Sequence, residues 1–322
     1  MIDRIAKCII LALFIFLGAI GCKPLHEGPT DSEIQLAEDQ EAIEKYLADN
    51  AFSAEKTEAG FYKNALVSNP GGDIIVVNDI VSIYYELSVL EGSTLQSVQS
   101  PALPLHILFG QGQIRPQSFE WGLTEMRNGE TYEFYFPSSF AYNDYEYQNL
   151  IPAHAILKLV MQVIRVDDLA SFQAFEKNRI LQYIEEEGYD NTVELEEGVH
   201  YVQLTAGQGD PPTNFLDITA DYTGTLLDGF EFDSSIESGE PITFSLGAGQ
   251  VIEGWDIGFQ DLPVGEKGLL FIPSRAAYGV NFFIAPPEIV PDVINKGLFQ
   301  PYPFQIPPYA TLIFEVEVLN IE

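Results

Sequence analysis

The sequence predicts an α+β protein made of two copies of one unit, each a mostly antiparallel sheet with a brief helix packed across it and a longer helix in front. Three observations carry this reading. Two amphipathic helical segments recur about 137 residues apart. Each runs into a Gly and then into strands of alternating hydrophobicity. The short motifs after those strands come in the same order both times. The chain has 322 residues, 46% of them hydrophobic, which is enough to fill two domain cores.

Taken from the N-terminus, the first feature is a targeting segment. Arg4 and Lys7 precede the apolar run Cys8 to Phe16, and LGAIGC follows. This is a basic start, a short apolar stretch and a small-residue cleavage site. The run is too short for a comfortable membrane-spanning helix. Residues 1–21 read as a signal peptide and 22–31 as a tether. The tetrapeptide Ala19-Ile20-Gly21-Cys22 resembles a bacterial lipobox, which implies cleavage before Cys22 and lipidation of its thiol. Several acyl chains on one residue hold a protein stably at a membrane. The expected location is therefore the bacterial cell envelope, facing the periplasm. The alternative is an ordinary secretory signal with an incidental Cys.

The two cysteines are Cys8 and Cys22, so the mature chain has no disulfide and relies on packing. Its net charge of −33 repels nucleic acid, whose phosphates are bound by displacing counterions with Lys and Arg. His26, His106, His154 and His200 have no ligand-like spacing, and no phosphate-binding loop or nucleophile motif is present. Neither a metal nor a cofactor is expected.

The first unit, 32–166, opens with SEIQLAEDQEAIEKYLADNAF. Ser32 and Gln35 make a plausible capping box, and Ile43, Tyr46 and Leu47 share a face. The second, 167–322, opens with SFQAFEKNRILQYIEEEGY, where Phe172, Phe175, Ile180, Tyr183 and Ile184 share a face. Without a Gly/Ser linker between the copies, this second helix forms the junction. Thereafter SIYYELSVLEGSTL pairs with TADYTGTLLDGFEF, and LFGQGQI with SLGAGQV. YFPSSFAYN pairs with FIPSRAAYG, and IPAHAILKLVMQV with IPPYATLIFEVEV. In the last pair Leu312, Phe314, Val316 and Val318 alternate with Ile313, Glu315 and Glu317, giving one buried and one largely wet face. Leu157, Leu159, Met161 and Val163 alternate likewise. VIEGWDIGFQDL suits the brief helix.

At DYTGTLLDGFEFDSS, FSLGAGQVIEGWDIGF, IPSRAAYG and IPPYATLIFEVEVL, the second copy resembles the FKBP-type peptidyl-prolyl isomerases. The resemblance spans nearly all of 198–322, with four motifs in register. It implies a twisted antiparallel sheet wrapped on a short helix, with an aromatic cleft between them. Cleft positions would be Tyr222, Phe232, Asp233, Val251, Ile252, Trp255, Tyr278, Ile306 and Phe314. Ile242 stands where many relatives carry an aromatic, which thins that wall. The implied substrates are proline-containing unfolded or folding polypeptides.

The chemistry asks little. Rotation about X–Pro is opposed by about 18–20 kcal/mol of amide resonance. No bond breaks, and a dry cleft favours the twisted, less dipolar amide over the planar one. On the resemblance, Trp255 floors the cleft under the prolyl ring, while Phe232, Val251, Ile252 and Phe314 exclude water. The Ile252 N–H and the Tyr278 hydroxyl hold substrate carbonyls. Asp233 accepts from Tyr222 and sets a negative edge beside the twisting carbonyl. The plainer reading makes the aromatics core and Asp233 the cap of a turn through DSS.

The first copy departs from the pattern. Tyr85 and Tyr142 match Tyr222 and Tyr278, and Phe119 stands at the Trp position. Leu95 and Gln96 replace the Phe–Asp pair, Leu87 replaces a Gly, and Asn143 replaces Gly279. Little or no isomerase activity is expected there. Tyr145 and Tyr147 permit either a sticky surface or ordinary packing. Between Gly279 and Ile306 the second copy carries a loop, 280–305, with four Phe and five Pro. Its counterpart in the first copy has roughly eight residues. The loop is either a lid or clamp for unfolded clients, or it packs back on the barrel or on the first domain. A non-enzymatic chaperone using both clefts is the rival to an isomerase.

Overall fold

The computed structural model describes residues 29–100, 103–278, 282–298 and 305–322. The signal segment and Cys22 lie outside them. No described helix is long and apolar enough to cross a membrane.

The first domain runs α1 (Asp31–Asp49), β1 (Glu55–Lys56), β2 (Tyr62–Val67), β3 (Ile80–Val89), β4 (Thr94–Val98), β5 (Leu105–Leu108), β6 (Ile114–Arg115), α2 (Ser118–Leu123), β7 (Thr131–Phe136) and β8 (Leu157–Asp167). The second runs α3 (Leu169–Glu186), β9 (Thr192–Glu194), β10 (His200–Thr205), β11 (Asp217–Leu226), β12 (Glu231–Ser234), α4 (Ser235–Ser238), β13 (Ile242–Ser245), α5 (Glu253–Gly258), β14 (Lys267–Ile272), β15 (Phe282–Phe283), α6 (Val290–Asn295) and β16 (Leu312–Ile321). The sheets have one topology. β1-β2-β7-β8-β3-β4 in the first matches β9-β10-β14-β16-β11-β12 in the second, with β5 and β13 added to β3 and β11. All pairings within these sheets are antiparallel. The tandem α+β architecture read from the repeats is the architecture present.

Each sheet is apolar on the face that holds its short helix. In β8, Leu157, Leu159, Met161 and Val163 are fully buried. They pack with Phe119 and Leu123 of α2. In β16, Leu312, Phe314, Val316 and Val318 meet Trp255 of α5 and Phe259 just beyond it. Each such side chain is worth about 1.5–3 kcal/mol of burial.

The outer face is drier than alternation predicts. Ile313, expected on the wet face, is buried with Val202, Leu269 and Phe271 beneath Ile180 and Ile184 of α3. In the first domain, α1 covers Tyr62 and Tyr135 with Ile43 and Leu47. A strand's own period cannot report a helix that returns over it.

Both helices are locked by one device. Asp39 of α1 accepts from the N–H and hydroxyl of Ser138, at 2.8 and 2.6 Å. Glu176 of α3 accepts from the N–H and hydroxyl of Ser274, at 2.7 and 3.2 Å, and from Thr311 at 3.1 Å. At its start α1 differs from expectation. Thr30 and Glu33 form the capping box, two residues before Ser32 and Gln35. The ionised Glu33 is the stronger acceptor for the Thr30 N–H, at 2.8 Å. Gln35 instead donates to Asp39.

The domains are joined directly. Asp168 follows β8 directly and caps α3 by accepting from the Ser171 N–H at 2.8 Å. Arg165 lies 4.1 Å from the Phe175 ring. The long loop is not structureless: its described part holds β15, a turn of 3₁₀ helix over Pro287–Ile289, and α6. It packs on the first domain, where Phe282, Phe283, Ile284, Ala285, Ile289 and Val293 join the first core. Tyr145 is buried against it, and Tyr147 is half-buried. Both aromatics pack against the first core, as ordinary packing would have them.

Candidate active site

The second domain's hollow is built where β11, β12, β16 and α5 meet. On β11 and β12, Gly224 stands opposite Asp233, and Thr225 opposite Glu231. Phe232 is therefore the extra residue of a β-bulge, which re-aims the side chains around it. The Tyr222 hydroxyl donates to Asp233 Oδ2 at 2.6 Å. The DSS stretch is held by its serines. The Tyr222 N–H donates to Ser235 Oγ at 2.8 Å, and Ser235 Oγ donates to Asp221 at 2.8 Å. Ser234 is the residue that caps α4, accepting from the Glu237 N–H. Asp233 is thus not the turn's cap, and its carboxylate faces the phenol.

Trp255 is 3% exposed and stands edge-on to Tyr222 and Phe314, both at 5.1 Å. Such perpendicular aromatic pairs add about 0.5–1.5 kcal/mol each beyond area burial. Together with Val251, Ile252, Ile242, Gln250 and Tyr278 they enclose a hollow of about 320 Å³. That is the scale of a small-ligand site, roughly 300–1,000 Å³. Burial raises the pKa of the Tyr222 phenol, and its bond to Asp233 raises it further. Burial likewise raises Tyr278, with the Asp233 charge as the second cause. Both phenols stay protonated at neutral pH and can donate. The Tyr278 hydroxyl has no partner among the described residues, and its side chain lines the hollow.

Tyr222, Asp233, Ile242, Val251, Ile252, Trp255, Tyr278 and Phe314 all line this hollow. Two expected cleft residues do not. Phe232 packs edge-on against Phe314 at 5.5 Å, a layer behind, because the bulge carries it there. Ile306 is 7% exposed and belongs to the core. Gln250 lines the hollow and was not expected. It accepts from the Ser245 N–H at 3.0 Å, and its recurrence in both copies, as Gln113 and Gln250, was the available signal. Among the described residues no His, Cys, Asp and Glu cluster could hold a metal ion.

The profile of one family, described as FKBP-type peptidyl-prolyl cis-trans isomerase, matches residues 72–164 and 210–319, more than half of the chain. This chain belongs to that family. It is 42% identical over 129 residues to FK506-binding protein 1 of Candida glabrata, covering 39% of this chain and 96% of that one. It is 38% identical over 126 residues to peptidyl-prolyl cis-trans isomerase Fkbp12 of Drosophila melanogaster, covering 39% and 99%. It is 40% identical over 124 residues to the FK506-binding protein of Neisseria meningitidis serogroup B, covering 38% and 96%.

With two FKBP domains in one chain, the clefts can be compared position by position. In the first, Leu87 stands opposite both Gln96 and Leu159. In the second, Gly224 stands opposite Asp233 and Phe314. Leu87, Gln96 and Leu159 thus hold the places of Gly224, Asp233 and Phe314, and the bulge recurs with Leu95 as its extra residue. Tyr85 and Phe119 keep the edge-on pair, at 4.9 Å. The Tyr142 phenol, counterpart of Tyr278, is buried and donates to the Ile284 carbonyl at 2.6 Å.

Proposed function

We propose that the second FKBP domain is the working prolyl isomerase and that the first is not. One observation supports this above the rest. The second hollow is open and combines an exposed phenol, a phenol–carboxylate pair and an indole, whereas the first lacks the acid and has chain lying in it. In this reading Trp255 floors the prolyl site, with Val251, Ile252, Ile242 and Phe314 as its dry walls. Tyr278 donates to a substrate carbonyl. Tyr222 fixes Asp233, whose charge lies beside the twisting amide, and Phe232 supports Phe314 from behind. A tenfold acceleration needs about 1.4 kcal/mol of preference for the twisted state, which a few such contacts supply.

The substrates are proline-containing segments of proteins folding outside the cytoplasm, with the enzyme held to the envelope through Cys22. That placement rests on the Arg4–Cys22 sequence pattern. A purely binding role through both clefts is less well supported, because one of the two is filled. The test is cis/trans exchange of a proline peptide by the full chain and by Asp233→Leu and Tyr278→Phe, with folding checked by circular dichroism. Each substitution lowers kcat/KM by about tenfold or more, the loss of one good polar contact. Unchanged exchange in both folded variants removes the assignment.

A further inference from the structure

We propose that the first FKBP cleft is a peptide-binding site occupied by this chain's own residues 282–293, which stand where a proline-bearing client would lie. The inference concerns the first domain and does not depend on which residues catalyse in the second.

The insertion enters as an added strand. β15 pairs in parallel with β6, Phe282 with Ile114 and Phe283 with Arg115. The Phe282 N–H donates to the Gln113 carbonyl at 3.0 Å, and the Ile284 N–H to the Arg115 carbonyl at 2.6 Å. Gln113, Ile114 and Arg115 hold the places of Gln250, Val251 and Ile252, which line the open hollow of the second domain. Strand addition of this kind recognises backbone and leaves selectivity to side-chain pockets. Here Phe283 packs on Tyr142 at 5.8 Å, and Ile284 is fully buried.

The polar contacts are those of a bound peptide. A buried phenol reaches a main-chain carbonyl, so the Tyr142–Ile284 bond reads an extended backbone rather than a particular side chain. Ala285, Pro286 and Pro287 follow, so the segment is aromatic–aliphatic–proline in character. Further along, the Tyr145 hydroxyl donates to Asp292 at 2.9 Å. Lys296 bonds the same carboxylate at 2.9 Å and lies 4.8 Å from the Tyr145 ring. A tethered segment acts at an effective concentration of about millimolar, so a free peptide at micromolar concentration does not displace it.

The probe is a fluorescent peptide of sequence FFIAPPEIVPDV, residues 282–293, followed by anisotropy. The intact chain shows no saturable binding at micromolar peptide. A chain whose residues 281–304 are cut to the first copy's loop length binds it, and so does full-length Phe283→Asp/Ile284→Asp. Adding Tyr142→Phe to either weakens binding about fivefold to tenfold, the worth of one hydrogen bond. Equal binding by intact and emptied chains overturns the inference. So does an emptied chain that binds nothing while its second domain still turns over a proline peptide. That turnover, read on the same samples, reports the second cleft separately. Where emptied variants do not fold, amide exchange on the unaltered chain decides. The Ile284 amide exchanges as slowly as those of β7 and β8, and Tyr142→Phe speeds it severalfold; fast exchange in the unaltered chain overturns the inference.

Discussion

Gly224 is the position where one methyl group should tell the two clefts apart. Its φ lies outside the left-handed region, so the residue is needed for space and not for backbone freedom. A Cβ there would stand 2.7 Å from the Phe232 ring and 2.8 Å from the Phe314 ring. Carbon atoms settle at about 3.5–4.0 Å, so in Gly224→Ala the rings must retreat by roughly 1 Å. Phe314 stands edge-on to Trp255, and its movement disturbs the floor of the hollow. Overpacking costs about 1–3 kcal/mol. The stiffer unfolded chain of an Ala variant returns about 0.4–1 kcal/mol. The net loss is about 1–2 kcal/mol, read as a lower urea midpoint. Misplacement by 1 Å costs up to about 100-fold in rate, so kcat/KM should fall between about tenfold and 100-fold. Gly224→Leu, which copies the first domain, should fall furthest. A folded Gly224→Ala chain with unaltered exchange would refute the argument that these two rings set the site.

Three further predictions concern the locks, a buried imidazole and the anchor. Glu176→Ala strands the Ser274 N–H and costs about 2–4 kcal/mol, whereas Glu176→Gln keeps an acceptor and costs less than half of that. Burial raises the Glu176 pKa, so its contribution to stability is full at low pH and shrinks as pH rises through the folded value; Glu176→Gln abolishes that dependence in urea titrations at several pH values. Burial, helped by Arg165 and Arg179, holds His106 down to about 3 from its ordinary 6.5. Its contribution is therefore full above pH 6.5 and is lost below it at about 1.4 kcal/mol per pH unit, a slope that His106→Gln should remove from urea midpoints between pH 7 and 5. Cys22→Ser abolishes palmitate labelling and moves the chain from the membrane to the soluble fraction; an unlabelled parent chain refutes the anchor.

What the sequence makes legible here is whatever repeats or alternates. The inner faces of β8 and β16 were readable because each borders one core and obeys a period of two. Tyr222, Asp233 and Trp255 were expected together because their motifs resemble those of one family, and the fold brings all three to one hollow. Ile313 was misread because α3 returns over its strand from far along the chain. Phe232 was expected in the hollow from the resemblance alone, and the β-bulge that sets it against Phe314 has no sequence signature. The filling of the first cleft left no trace in any local pattern, since Arg115 and Phe283 are distant in sequence and meet only in the fold. The insertion's four Phe and five Pro left open whether it clamps clients or packs on the barrel or the first domain.

One consequence of that strand pairing concerns the order in which the molecule can be finished. Synthesis runs from the N-terminus, and domains fold as units as they emerge. The first half of this protein carries an apolar trough whose filling is encoded in the second repeat. Until β15 and α6 arrive, that trough stands open to water and to neighbouring nascent chains. The half without the acid is thus the last to be sealed, and what seals it comes from its twin.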